Sequence, residues 1–125
     1  MIDTNKFEYA GSRWQDIFNQ LKKSGFDVYS PGVKVGDCTS EYLVVKNGGS
    51  SKHASFSTDI DMYSVLCYVP KDKYSSLEVL VQRVKAAMKE LKPMILPYGT
   101  QTPSYYDDGF KAHMISIEYK NYKKL

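Results

Sequence analysis

Two stretches of the chain repeat apolar residues at helical spacing. Trp14, Ile17, Phe18 and Leu21 form the first stripe, one face of a helix. Ser12 and Gln15 make an S-x-x-Q capping box ahead of it, and Gly25 follows it as a residue that tolerates the left-handed conformation of a helix stop. Leu77, Leu80, Val81, Val84, Met88 and Leu91 form the second stripe. Ser75 and Glu78 offer it an S-x-x-E capping box and Pro93 ends it, because proline disfavours a helical residue before it.

The remaining apolar runs carry β-branched and aromatic residues, the strand signature. Residues 42–46, 58–69, 94–98 and 110–122 read as strands, and 26–29 as a short strand or extended segment. Residues 47–57 are rich in Gly and Ser, and residues 99–109 are polar with two tyrosines, so both read as loops. The order helix, strands, helix, strands predicts an α+β fold, an antiparallel sheet of about four strands with both helices on one face. Nothing in residues 1–125 marks a linker or repeat, so one domain is expected.

The long strand 58–69 departs from simple alternation. Ile60, Met62, Leu66 and Tyr68 fall on one face with Ser64, while Tyr63, Val65, Cys67 and Val69 fall on the other. A sheet with one wet face shows polar residues at alternate positions. The last strand is similar, with Phe110, Ala112 and Met114 opposed to Ile115, Ile117 and Tyr119. Two short helices cover one such face, and the other needs a partner or its own loops. Loops 47–57 and 99–109 are the candidates within the chain. The small side chains Val65, Cys67 and Val69 suit close packing under a helix, against Leu80, Val84 and Met88. Met62, Leu66 and Tyr68 then become interface candidates.

Composition changes this picture little. Hydrophobic residues are 42% and charged residues 25%, which excludes a disordered chain. The 11 tyrosines suit half-exposed sheet surfaces and interfaces. A net charge of +3 does not argue for specific nucleic-acid binding, and Arg83, Lys85, Lys89 and Lys92 read as a solvated helix face. Cys38 and Cys67 match neither a disulfide framework nor zinc spacing. No apolar run approaches the ~20 residues of a spanning helix, and residues 1–6 carry no hydrophobic signal core, so a cytoplasmic product and no membrane partner are expected.

One enzymatic pattern stands out. Gly48-Gly49-Ser50 followed by Asp59-Ile60-Asp61 resembles the nucleotidyltransferase arrangement. Two carboxylates two apart share a strand face and can hold Mg²⁺ against a triphosphate, while the glycine turn admits phosphate to backbone N–H groups. Gly49, Ser50, Asp59 and Asp61 would carry that chemistry. The stretch 50–58 lacks the helical period that this family places there, and only Glu118 offers a third carboxylate. His53 and His113 stand at no recognised catalytic spacing, and Asp107-Asp108-Gly109 reads as turn chemistry.

A different resemblance spans Phe26 to Leu125. It is carried by Tyr68-Val69-Pro70, Pro93-Met94, Thr102-Pro103-Ser104-Tyr105-Tyr106-Asp107-Asp108, Lys111-Ala112-His113-Met114 and Ile117-Glu118-Tyr119-Lys120-Asn121-Tyr122-Lys123-Lys124. This run resembles the small tail-terminator, or tail-completion, proteins of tailed bacteriophages and phage-tail-like particles. The resemblance implies a structural protein without catalytic residue, cofactor or metal. It implies a homo-oligomeric ring, usually a hexamer, that caps the tail tube, stops its growth and meets the head connector, collar or sheath. The protein would be made in the host cytoplasm and reside at the head-proximal end of the tail. Lys52, His53, Met62, Leu66, Tyr68, Tyr105 and Tyr106 are the expected interface residues. A neighbouring head–tail connector protein is the alternative within the same assembly.

Overall fold

The computed structural model describes residues 13–52 and 58–124. Residues 1–11, Ser12 of the first expected capping box, and His53 lie outside them. Helix α1 (Arg13–Lys23) buries Ile17 and Leu21. It stops where the spacing predicts. The Gly25 amide donates to the Lys22 carbonyl and the Phe26 amide to the Leu21 carbonyl, at 3.0 and 3.1 Å. Gly25 sits at φ +96°, so this pair of bonds is the Schellman stop that favours glycine.

Helix α2 (Leu77–Met88) buries Leu77, Leu80, Val81, Val84 and Met88. Its start differs from expectation. Ser75 lies inside a single 3-10 turn, Tyr74–Ser76, and the residue before the helix, Ser76, makes no side-chain cap bond. Backbone bonds replace the capping box, with the Ser76 amide on the Lys73 carbonyl and the Leu77 amide on the Tyr74 carbonyl. A tight turn of this kind satisfies the same orphan donors. A second 3-10 turn, Lys89–Leu91, ends the helical segment before Pro93.

Six strands form one mixed sheet: β1 (Val28–Tyr29), β2 (Tyr42–Lys52), β3 (Thr58–Pro70), β4 (Leu96–Gln101), β5 (Tyr105–Asp107) and β6 (Ala112–Lys124). The order is β1-β2-β3-β6-β4, and β5 also pairs with β6. The sheet is therefore larger than the expected four antiparallel strands. Val28 and Tyr29 pair parallel to Leu43 and Val44, while every other pairing is antiparallel.

Two segments expected as loops are largely strand. Residues 47–52 continue β2 against β3 through a bulge between Asn47 and Gly49. Glycine is what the bulge requires: Gly49 has φ +98°, and a Cβ on Gly48 would stand 3.3 Å from the Met62 carbonyl oxygen. Residues 99–101 belong to β4 and 105–107 to β5, so the segment 96–107 lines β6 as one interrupted strand.

Both helices cover the same sheet face, and the main core lies between them. Val65, Cys67 and Val69 join Leu80, Val84 and Met88 there, with Ile17, Leu21, Ile115, Ile117 and Tyr119. The Trp14 indole N–H donates to the Val45 carbonyl at 2.7 Å, and the Gln20 amide donates to the Ala87 carbonyl at 2.9 Å. The second bond ties α1 to the last turn of α2.

Leu80→Ala is expected to cost about 2–5 kcal/mol, the usual loss for a buried leucine, in equilibrium urea unfolding. Val65→Asp puts an unpaired charge in the same layer and is expected to yield no cooperative transition. A two-state melt for Val65→Asp close to that of the parent chain would disprove the assignment of this face.

Candidate functional site

The helix-free face of the sheet divides into two halves with different chemistry. The odd-numbered side chains of β3 point to the helices, so Met62, Ser64, Leu66 and Tyr68 point away. At one end Tyr42 stacks on Tyr68 with ring centroids 4.8 Å apart, Tyr29 meets Tyr42 edge-on, and Phe110 meets Tyr68 edge-on. Such pairs contribute beyond their buried area. Cys38, Tyr42, Tyr68 and Ala112 form a second, smaller core, with Val44, Leu66 and Met114 packed against it.

The segment 30–41 closes that end. The Cys38 amide donates to the Phe110 carbonyl at 2.7 Å, which ties this segment to the turn before β6. Lys34 places its ammonium over the rings of Tyr29 and Tyr42, at 5.4 and 5.5 Å, a favourable cation–π geometry. The sequence suggested loops 47–57 and 99–109 as the possible cover. Residues 53–57 lie outside the described residues; among those described the cover is 30–41, and its signal was Cys38, a residue type that is usually buried.

The other half stays partly open. The Ser64 and Ser116 hydroxyls donate to the two oxygens of Glu118, at 2.6 and 2.7 Å. Lys46, Met62 and Lys120 surround this network and are exposed or half-exposed. Lys120 lies over the rings of Tyr98 and Tyr122, at 5.5 and 5.0 Å. The result is a surface of mixed charge with apolar and aromatic parts, the composition of an interface rather than of a core.

The expected interface residues do not gather in one place. Met62 belongs to the open half, and Leu66 lies at the border between the halves. Tyr68 is only 7% exposed and is covered within the subunit. Tyr105 pairs opposite Met114 and Tyr106 opposite His113, so adjacent side chains turn to opposite faces. Tyr105 is exposed, while Tyr106 packs by the His113 ring, which also meets Tyr74 at 4.7 Å. The roles of Tyr74 and His113 were not legible in the sequence, because the 3-10 turn Tyr74–Ser76 and β6 meet only in three dimensions. Lys52 ends β2 opposite Asp59.

Gly49 and Ser50 of the nucleotidyltransferase pattern lie in a strand rather than in the expected loop. Gly49 and Ser50 are strand residues facing Met62 and Asp61. The Gly49 amide donates to Asn47 Oδ1 at 2.7 Å, and the Ser50 hydroxyl to Asp61 Oδ1 at 2.7 Å. A phosphate cradle needs such amides pointing outward together. In the backbone register Asp59 pairs with Lys123 and Asp61 with Asn121. Among the described residues no group of three or more His, Cys, Asp or Glu side chains is placed to hold a metal ion. Asp107 accepts hydrogen bonds from the Gly109 and Phe110 amides, at 2.9 and 3.2 Å, which is the turn role expected of it.

Both thiols are buried and free. Burial pushes the Cys67 thiol up from 9.0 to about 12, with the Glu41 charge adding to it, and burial also raises Cys38. Burial likewise raises the phenols of Tyr42, Tyr63, Tyr68 and Tyr119. Among the described residues no helix is long and apolar enough to cross a membrane. No protein-family model matches the chain, and no curated protein matches it.

The raised thiol sets an alkaline limit. Below pH 9 both folded and unfolded chains keep Cys67 protonated, and between pH 9 and about 12 only the folded chain does. The contribution of Cys67 to stability is therefore level below pH 9 and falls as pH rises through that window. Urea unfolding at stepped pH is expected to show this fall, and a shallower one in Cys67→Ser. At pH 8 iodoacetamide should label Cys67 only as fast as the chain opens; immediate labelling of the native protein would contradict the burial.

Proposed function

We propose that this protein is a structural subunit of a phage or phage-tail-like particle, a tail terminator that caps the tail tube as a homo-oligomeric ring. The observation that carries the reading is the half-open, helix-free sheet face around Met62, Ser64, Glu118 and Lys120. It agrees with the resemblance of residues 26–125 to that family.

The mechanism on this reading is steric. A closed ring needs a heterologous contact, one patch against a different patch of the next copy. The open half of the sheet supplies one patch, built on the two longest strands and so rigid before assembly. Charged residues there (Lys46, Glu118 and Lys120) set orientation, and Met62 with Tyr122 supplies apolar area. The ring then presents one surface to the tail tube and another to the connector or collar. Assembly takes place in the host cytoplasm, and the product resides at the head-proximal end of the tail. No step requires a cofactor or a metal.

Met62→Asp on the open half is expected to leave the subunit folded and to abolish the ring. Leu66→Asp, nearer the second core, is expected to abolish the ring and also lower the melting temperature. Native mass spectrometry, sedimentation with polymerised tail tube and thermal melts measure all three effects. Monomer alone for the parent chain, both free and with tube, would refute the reading.

A further inference from the structure

We propose that a cavity between α2 and β4 binds a small organic anion with an apolar body, such as an alkyl carboxylate or alkyl phosphate. The cavity holds about 520 Å³, within the range of ordinary ligand pockets. It opens where β4 leaves regular register with β6. Leu96 and Pro97 pair with Lys120 and Tyr119, the register then shifts, and pairing resumes only at Gln101 with Ile117. Gly99 and Thr100 bow away from β6 and form one wall, and Met88 of α2 forms the other.

The floor is apolar, from Met88, Pro97 and Ile117. The rim is cationic. Lys85, Lys89 and Lys92 all border the cavity; Lys85 and Lys89, at i and i+4, share one side of the helical segment, and Lys92 is the extended residue that follows it. None of the three makes an ion pair among the described residues. Like charges aligned this way repel one another, and a bound anion would relieve that repulsion. Lys89 and Lys92 follow the end of α2, where carbonyl oxygens hold cations rather than anions, so their ammonium groups are kept near the rim.

A second observation points inward. Tyr119 borders the cavity and is only 3% exposed. Its side chain belongs to the helix-facing core, the layer in which the cavity lies. Its hydroxyl has no hydrogen-bond partner among the described residues. Buried hydroxyls are almost always partnered, and a ligand oxygen in the cavity would satisfy this one. Glu118 also borders the cavity, but Ser64 and Ser116 hold its carboxylate on the opposite sheet face. The wall nearest the lysines therefore carries no competing anion. An apolar tail over Met88, Pro97 and Ile117, an acceptor at Tyr119 and an anionic head among the lysines match the apolar floor, the buried hydroxyl and the cationic rim, with Thr100 and Gln101 as further neutral polar groups on the wall.

Isothermal titration calorimetry with octanoate, octyl phosphate and neutral 1-octanol tests the proposal on the full chain. One anion site per chain is expected, with octanol weaker by about tenfold or more, the value of a charge-assisted contact. The triple variant Lys85→Gln, Lys89→Gln, Lys92→Gln is expected to weaken the anions to the level of octanol. Tyr119→Phe is expected to weaken them severalfold while leaving the melting temperature unchanged or higher, since it removes an unpartnered hydroxyl. The tighter of the two anions identifies the head group. Absence of binding by either anion, equal binding of octanol, or anion binding unaltered in both variants would overturn the proposal.

Discussion

The pairing of β3 with β6 is the constraint from which the rest of the structure follows. The two strands run in unbroken register from Thr58 opposite Lys124 to Pro70 opposite Ala112. Both present apolar side chains to both faces, so two layers of cover are obligatory. Helices α1 and α2 provide the first, packed on Val65, Cys67, Val69, Ile115 and Ile117. Among the described residues the second face is covered by the segment 30–41 and its aromatic cluster, and the half around Met62 and Lys120 is left partly exposed.

The first layer was legible from residue spacing. Leu80, Val84 and Met88 keep the helical period, Val65, Cys67 and Val69 keep the strand period, and the two sets meet in the core. Gly25 was also legible, because its backbone conformation is one that other residues adopt only with strain. Periodicity reports burial on one face of one element, and these features need nothing more.

What was missed depended on contacts distant in sequence or on residues with two uses. Glycine marks loops and bulges alike, so Gly48 and Gly49 concealed the continuation of β2. Ser75 satisfied a capping pattern, yet a 3-10 turn supplied the same bonds from the backbone. Val28 and Tyr29 join the sheet in parallel, a pairing that two residues cannot announce. Tyr68 was read for an interface because it faces away from the helices; it does, but Tyr42, Phe110 and the segment 30–41 enclose it. The lysines of α2 were read as a solvated face, and the cavity beside them arises only from the register shift of β4.

The same register shift has a consequence for the protein at high concentration. An open sheet ends in two strands whose unpaired backbone groups invite another chain. Here one end is β1, only two residues long. The other is interrupted between Pro97 and Gln101 and again before β5, with Pro97 and Pro103 lacking the amide that a further strand would need. The β4 margin therefore offers no long template for strand addition, whereas β1 covers only Leu43 and Val44 and residues 45–52 of β2 have no strand partner on that side among the described residues. Backbone pairing between copies is thus confined to one margin, the open flank of β2, while contacts at the other margin run through side chains.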